Sequence, residues 1–156
     1  MTAAQLKAFR KNWETINLAY AGSKNLTPYD VLTIASMIEK EAVAPEERPK
    51  IARVIYNRLH HRMPLGIDAT VRYGFNVPGT QSLLESQLNS NNPYNTRRLL
   101  GLPPTPIANP GLASIQAAAH PVAGDWLYFV RKPDKVHHFF TASQQAFNNY
   151  KNAHGF

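Results

Sequence analysis

Two carboxylates, Glu39 and Glu41, stand two residues apart in TIASMIEKEA (33–42), among residues that otherwise suit a buried helical face. A glutamic acid in apolar surroundings can keep its proton toward neutral pH, give it to a leaving group, and take one back as carboxylate. Two acids that share a proton, or that flank a bond from opposite sides, do hydrolytic work instead. On a regular helix, positions two apart diverge by roughly 160°, so this pair cannot be a shared-proton dyad. At most one of them faces a cleft while the other serves an ion pair. On geometry alone the simpler reading is two rim carboxylates, each satisfied by a neighbouring arginine.

The element that must position them is a helix. Thr27-Pro28-Tyr29-Asp30 supplies an N-cap hydroxyl, a proline at the first helical position and an acid in the first turn. Val31, Ile34, Ala35, Ile38 and Ala42 then repeat at helical spacing, flanked on the wheel by Leu32 and Met37. Glu39 falls between Ala35 and Leu32, and Glu41 between Ile34 and Met37. Ahead of this helix, Leu6, Phe9, Trp13, Ile16 and Tyr20 predict one amphipathic packing helix over residues 3–21. After it, Glu46 and Glu47 open a helix carrying Ile51, Val54, Ile55 and Leu59. Arg48, Lys50, Arg53 and Arg58 ride on that helix, and any of them could neutralise Glu39 or Glu41.

Further along, LGIDATVRYG (65–74) reads as a short extended segment holding Asp68, Thr70 and Tyr73. Residues 91–111 hold five of the twelve prolines, which excludes helix and central strand and marks a long ordered loop of the kind that carries function. Asn109-Pro110 starts a small-residue helix ending at His120-Pro121. WLYFV (126–130) and HHFF (137–140) predict antiparallel strands across a turn at Pro133-Asp134. Thr141 with Gln144 predicts a capping box for a last helix bearing Phe147 and Tyr150. The class is α+β: a helix-rich single domain with a small antiparallel sheet.

Several chemistries lack their residues. The chain has no cysteine, so there is no disulfide framework, thiol nucleophile or zinc–thiolate site. Its six histidines include no HExxH spacing, and no GxSxG elbow or glycine-rich phosphate loop occurs. No metal or cofactor is expected. Composition, with 44% hydrophobic and 17% charged residues over 156 positions, suits one globular domain. No apolar run reaches the length of a membrane span, so the chain is expected to be soluble. The net charge of +7 is scattered, with no basic run longer than two, and nucleic acid is not an expected partner. The remaining material is an acid in an apolar helix and a loop rich in tyrosine, asparagine and threonine, side chains that suit sugar hydroxyls and pyranose faces. Taken alone, PYNT is more simply a turn with an exposed tyrosine, and Asp68 a turn or cap residue.

Taken in order, ASMIEKEA, VIYNRL, IDATVRYG, PYNTRRLLGLPPTPIANPG, IQAAAHP, LYFV and HHFFT resemble the catalytic domain of the YceG-like endolytic murein transglycosylases, over roughly residues 26–150. Residues 1–25 match less distinctively and are expected to add a packing helix to a catalytic domain at 26–156. Members of that family usually carry a membrane anchor and a LysM-like segment ahead of this domain, and this chain is expected to be the catalytic unit without them. The resemblance implies a lysozyme-like catalytic helix and an extracytoplasmic site on the bacterial cytoplasmic membrane. It implies peptidoglycan glycan strands as substrate and peptidoglycan synthases as partners. The implied reaction cleaves the MurNAc-β-1,4-GlcNAc bond to leave 1,6-anhydro ends, with the muramyl C6 hydroxyl attacking C1. Its acid maps onto the first glutamate of EKE, Glu39, leaving Glu41 as structural support. Asp68, Thr70, Tyr94, Asn95, Thr96, His120 and His138 are expected to line the glycan groove, with Gly101 to Pro110 shaping its wall. Two other readings stay open: a muramidase using Glu39 and Asp68 with water, and a non-catalytic wall-binding module.

Overall fold

A computed structural model describes all of residues 1–156. Its central element is helix α3 (Pro28–Glu41), preceded by α1 (Ala3–Trp13) and α2 (Ala19–Ser23). The Thr27 hydroxyl accepts from the Asp30 N–H while the Asp30 carboxylate accepts from the Thr27 N–H, closing a capping box around Pro28. The expected apolar stripe is buried, but so are Thr33, Ser36 and Met37, so α3 is enclosed on every side from Thr33 to Ile38. The amphipathic segment ahead of it is two helices rather than one over residues 3–21. The Thr15 hydroxyl turns back onto the Asn12 carbonyl at 2.6 Å, and the Asn17 side chain accepts from the Ala19 N–H to start α2.

Three helices enclose α3. A 3-10 turn (Pro45–Glu47) leads into α4 (Arg48–His60), which contributes Ile51 and Ile55. Residues 65–74 are not extended: Asp68–Phe75 is helix α5, with Thr70 and Val71 buried together and Asn76 closing it at φ 53°. Two adjacent buried side chains and an asparagine in the left-handed conformation are features of a helix end, not of an alternating strand. After the short α6 (Glu85–Leu88) and the proline-framed loop comes α7 (Leu112–Ala119), which starts two residues beyond Asn109-Pro110. Its Ser114, Ala117, Ala118 and Ala119 are small and buried, which lets α7 lie close along α3.

Strands β1 (Tyr128–Arg131) and β2 (His138–Thr141) pair antiparallel, with Phe129 opposite Phe140 and Arg131 opposite His138. Period-two alternation places Phe129, Arg131, His138 and Phe140 on one face. Tyr128 and Phe139 face the other way, stacking on Phe147 and Tyr150 of α8 (Gln144–Ala153) at 5.2 and 4.3 Å. The N-cap of α8 is Ser143, accepting from Ala146, and the Thr141 hydroxyl instead accepts from the Ser143 N–H. The molecule is thus an α+β domain, eight helices with a two-stranded sheet. No helix is long and apolar enough to cross a membrane.

Candidate active site

The two glutamates of α3 have different surroundings. Glu39 faces α7, where its Oε2 accepts from the Gly111 N–H at 3.2 Å and from the Ser114 hydroxyl. Its carboxylate therefore belongs to the seam between α3 and the start of α7, where the positive end of that helix favours a negative charge. Two arginines of α4 are engaged elsewhere. Arg53 donates to the Val122 carbonyl and the Tyr20 hydroxyl, and Arg58 to the carbonyls of Pro64, Leu65 and Leu127. Neither glutamate has a cation within salt-bridge distance.

Glu41, the last residue of α3, opens instead into a cleft of about 1110 Å³. No protein hydrogen bond reaches its partly buried carboxyl group. Burial pushes its pKa up from 4.5 to about 7; the nearby Asp68 charge acts in the same direction, and Arg131 opposes both. Its place at the negative end of the α3 dipole further disfavours the carboxylate. A carboxyl group that stays half-protonated near neutral pH is what a general acid needs.

One wall of this cleft is α5, whose Asp68, Ala69, Arg72, Tyr73 and Asn76 follow one helical stripe. The opposite wall is the sheet face with Phe129, Arg131 and His138; Ile107 closes it between them, and Lys40 stands at the rim. The Ile107 N–H donates to the Ser36 hydroxyl at 2.9 Å, which ties the proline-framed loop to α3. Lys40, Arg72 and Arg131 give the cleft a cationic rim. Asp68 is the second carboxylate in it, held by Arg97 through contacts of 2.6 and 3.2 Å.

The residues expected to line a groove divide into three groups. Asp68 and His138 do line the cleft. Thr70, Asn95 and Thr96 do not: all three are buried and committed to the protein. The Thr96 hydroxyl accepts from the Ile67 N–H at 3.0 Å and lies 2.9 Å from the Thr70 hydroxyl, stapling the approach to α5 onto the PYNT loop. The Asn95 amide donates to the carbonyls of Leu88 and Ser90, and its oxygen accepts from the Arg97 N–H. This is backbone satisfaction at an irregular segment, and it leaves no polar atom for a sugar. Tyr94 stands behind the wall, its ring 5.0 Å from Tyr73 and its hydroxyl 2.9 Å from that of Thr105. His120 lies exposed at a separate depression beside Arg48 and Gln116, away from Glu41.

Residues that sequence reasoning did not select for a groove also line the cleft: Lys40, Arg72, Phe129 and Arg131, and with them Glu41, which was expected to be structural support. One signal pointed that way. A helix of small residues with an inward serine, LASIQAAA, must pack closely on another helix and find an acceptor there, and Glu39 is that acceptor.

Comparison with known proteins agrees with this architecture. The model of the YceG-like family matches residues 1–153. A Bacillus subtilis protein named an endolytic murein transglycosylase is 46% identical over 104 residues, which are 67% of this chain and 29% of that protein. A Streptococcus pneumoniae protein of the same name is 37% identical over 134 residues, 83% of this chain and 23% of its own length. The chain thus spans less than a third of these relatives. Among solved structures, a YceG-like protein from Listeria monocytogenes superposes with a TM-score of 0.77 at 32% identity, over 95% of this chain and 45% of that one. With nearly its whole length matched by the family model and its fold shared with a solved member, the chain belongs to the YceG-like family.

Proposed function

We propose that this domain is an endolytic murein transglycosylase in which Glu41, rather than Glu39, is the catalytic acid and base. The observation that carries this reading is a single carboxyl group, pushed up to about 7, opening on this cleft without a protein hydrogen bond. Protonated, Glu41 donates to the glycosidic oxygen between MurNAc and GlcNAc. As carboxylate it then accepts the proton of the muramyl C6 hydroxyl while that oxygen bonds to C1, closing the 1,6-anhydro ring. Water is not consumed and one carboxyl group suffices. The cations Lys40, Arg72 and Arg131 suit a substrate whose muramyl lactyl groups and stem peptides carry carboxylates. Tyr73 and Phe129 offer ring faces to sugars. Such a substrate lies on the outer face of the bacterial cytoplasmic membrane, and the proposal includes that location. Coupling to peptidoglycan synthases belongs to the longer relatives and is carried over only as part of the proposal.

A second reading has one specific observation in its favour. Asp68 shares the cleft with Glu41 and its charge helps raise the Glu41 pKa, as the second carboxylate of a muramidase would. Its clamp to Arg97 argues for a fixed negative charge that stabilises an oxocarbenium-like centre, rather than for a base that activates water. Mass analysis of uncrosslinked glycan after digestion separates the readings. Internal cuts ending in 1,6-anhydromuramyl sugars are expected. Products heavier by one water, with reducing muramic termini, would make the domain a muramidase. Unchanged glycan would leave a wall-binding module.

A further inference from the structure

A buried acid–imidazole pair stands in the sheet wall of the cleft. The His138 and Glu47 side chains are 3% and 9% exposed, with Nδ1 2.7 Å from Glu47 Oε2. Glu47 Oε1 accepts the backbone N–H of His138 at 2.9 Å, so both carboxylate oxygens are aimed at one residue. The ring is also wedged by Phe129 and Phe140, with edge contacts at 5.4 and 6.1 Å. This places a residue of the turn after α3 against the first residue of β2, tying the sheet wall to the glutamate helix.

A carboxylate can only accept, so Nδ1 carries the hydrogen, and in the neutral ring Nε2 is then the acceptor. Nε2 has no partner in the protein, yet it is not sealed away: the only buried side-chain nitrogen or oxygen without a hydrogen bond is Arg48 Nε. His138 lines the same cleft as Glu41 and Arg131. We propose that His138 is a substrate contact whose Nε2 accepts a hydrogen bond from an N–H or O–H donor of the bound glycan, and that Glu47 is the positioning residue that fixes its tautomer. The inference rests on the transglycosylase reading and deepens it. A purely structural pair would need neither an open Nε2 nor a place in the cleft wall.

Two isosteres separate the roles. In His138→Asn the amide nitrogen takes the place of Nδ1 and keeps the bond to Glu47, but nothing reaches the position of Nε2. Glu47→Gln donates toward Nδ1, moving the hydrogen to Nε2 and turning the acceptor into a donor. Both variants are expected to stay folded and to lose about tenfold or more in kcat/KM on uncrosslinked glycan, the size of one good hydrogen bond. The ¹⁵N resonances of His138 provide a readout independent of turnover. In Glu41→Gln protein, Nε2 should appear unprotonated and shift when uncrosslinked glycan is added, while Glu47→Gln should exchange the two nitrogen signatures. Wild-type kinetics in His138→Asn, or a His138 Nε2 that glycan leaves unmoved, overturns the proposal even if the enzyme cleaves glycan. If the variants fail to fold, the ¹⁵N titration decides alone. Wild-type protein that neither cuts nor binds glycan overturns the transglycosylase reading, and this inference with it.

Discussion

Glu41→Gln is expected to abolish glycan cleavage, by a hundredfold or more, while leaving the protein folded and more stable at neutral pH. The amide keeps the shape of the side chain but has no proton to give, and general acid–base catalysis carries a loss of about that size. The stability effect follows from the raised pKa. Between pH 4.5 and about 7 the unfolded chain releases the Glu41 proton while the folded protein retains it. The stability associated with that proton is complete below pH 4.5 and declines as pH rises to about 7, above which both states are ionised. The whole rise corresponds to at most about 3 kcal/mol, less because the cleft admits water. Glutamine does not titrate, so the variant should lose this part of the pH dependence and melt above wild type at pH 7 and higher.

Glu39→Gln is the contrasting variant. It weakens the hydrogen bonds from Gly111 and Ser114 at the α3–α7 seam, so it should melt lower and keep turnover within about tenfold of wild type. Thermal melts from pH 4 to 8, run beside anhydro-product yields, check both. If Glu39→Gln were folded and inactive while Glu41→Gln cleaved normally, the acid would be Glu39.

Asn95→Ala should act on stability rather than directly on the substrate. Asn95 is fully buried, and its amide satisfies the carbonyls of Leu88 and Ser90 while its oxygen holds the Arg97 N–H. Alanine leaves these backbone groups unpaired in a place water reaches poorly. The expected cost is about 2–4 kcal/mol. In a domain of this size that lowers the melting temperature by roughly 5–15 °C. Where the variant remains folded, its KM should stay near the wild-type value. An unchanged melting temperature with weakened glycan binding would put Asn95 in the groove after all.

What the sequence determined by itself was local. The cap and stripe of α3, the proline-framed loop, the small-residue helix and the two strands are set by residues within a turn or two of one another. Side-chain periodicity and turn chemistry report on that range. The α5 reading failed at the same level, because LGIDATVRYG offers aliphatic, β-branched and aromatic residues to either period, and only the joint burial of Thr70 and Val71 decides for a helix. An acid in an apolar helix was legible too, but the cations of the cleft, Lys40, Arg72 and Arg131, were not.

Only the tertiary structure told the two glutamates apart. A helical wheel separates two faces when a helix has a wet side, but α3 is enclosed all round from Thr33 to Ile38. Both glutamates therefore look inward, and their difference lies in what stands opposite. The small residues of α7 bring a serine hydroxyl and a backbone N–H onto Glu39. At the end of α3, α5 and the sheet stand apart and leave the Glu41 carboxyl desolvated but unbonded. The same long-range geometry turned Thr70 and Thr96 inward and set Glu47 against a histidine ninety-one residues away. These burials and partnerships are properties of contacts between distant segments, and no local pattern encodes them.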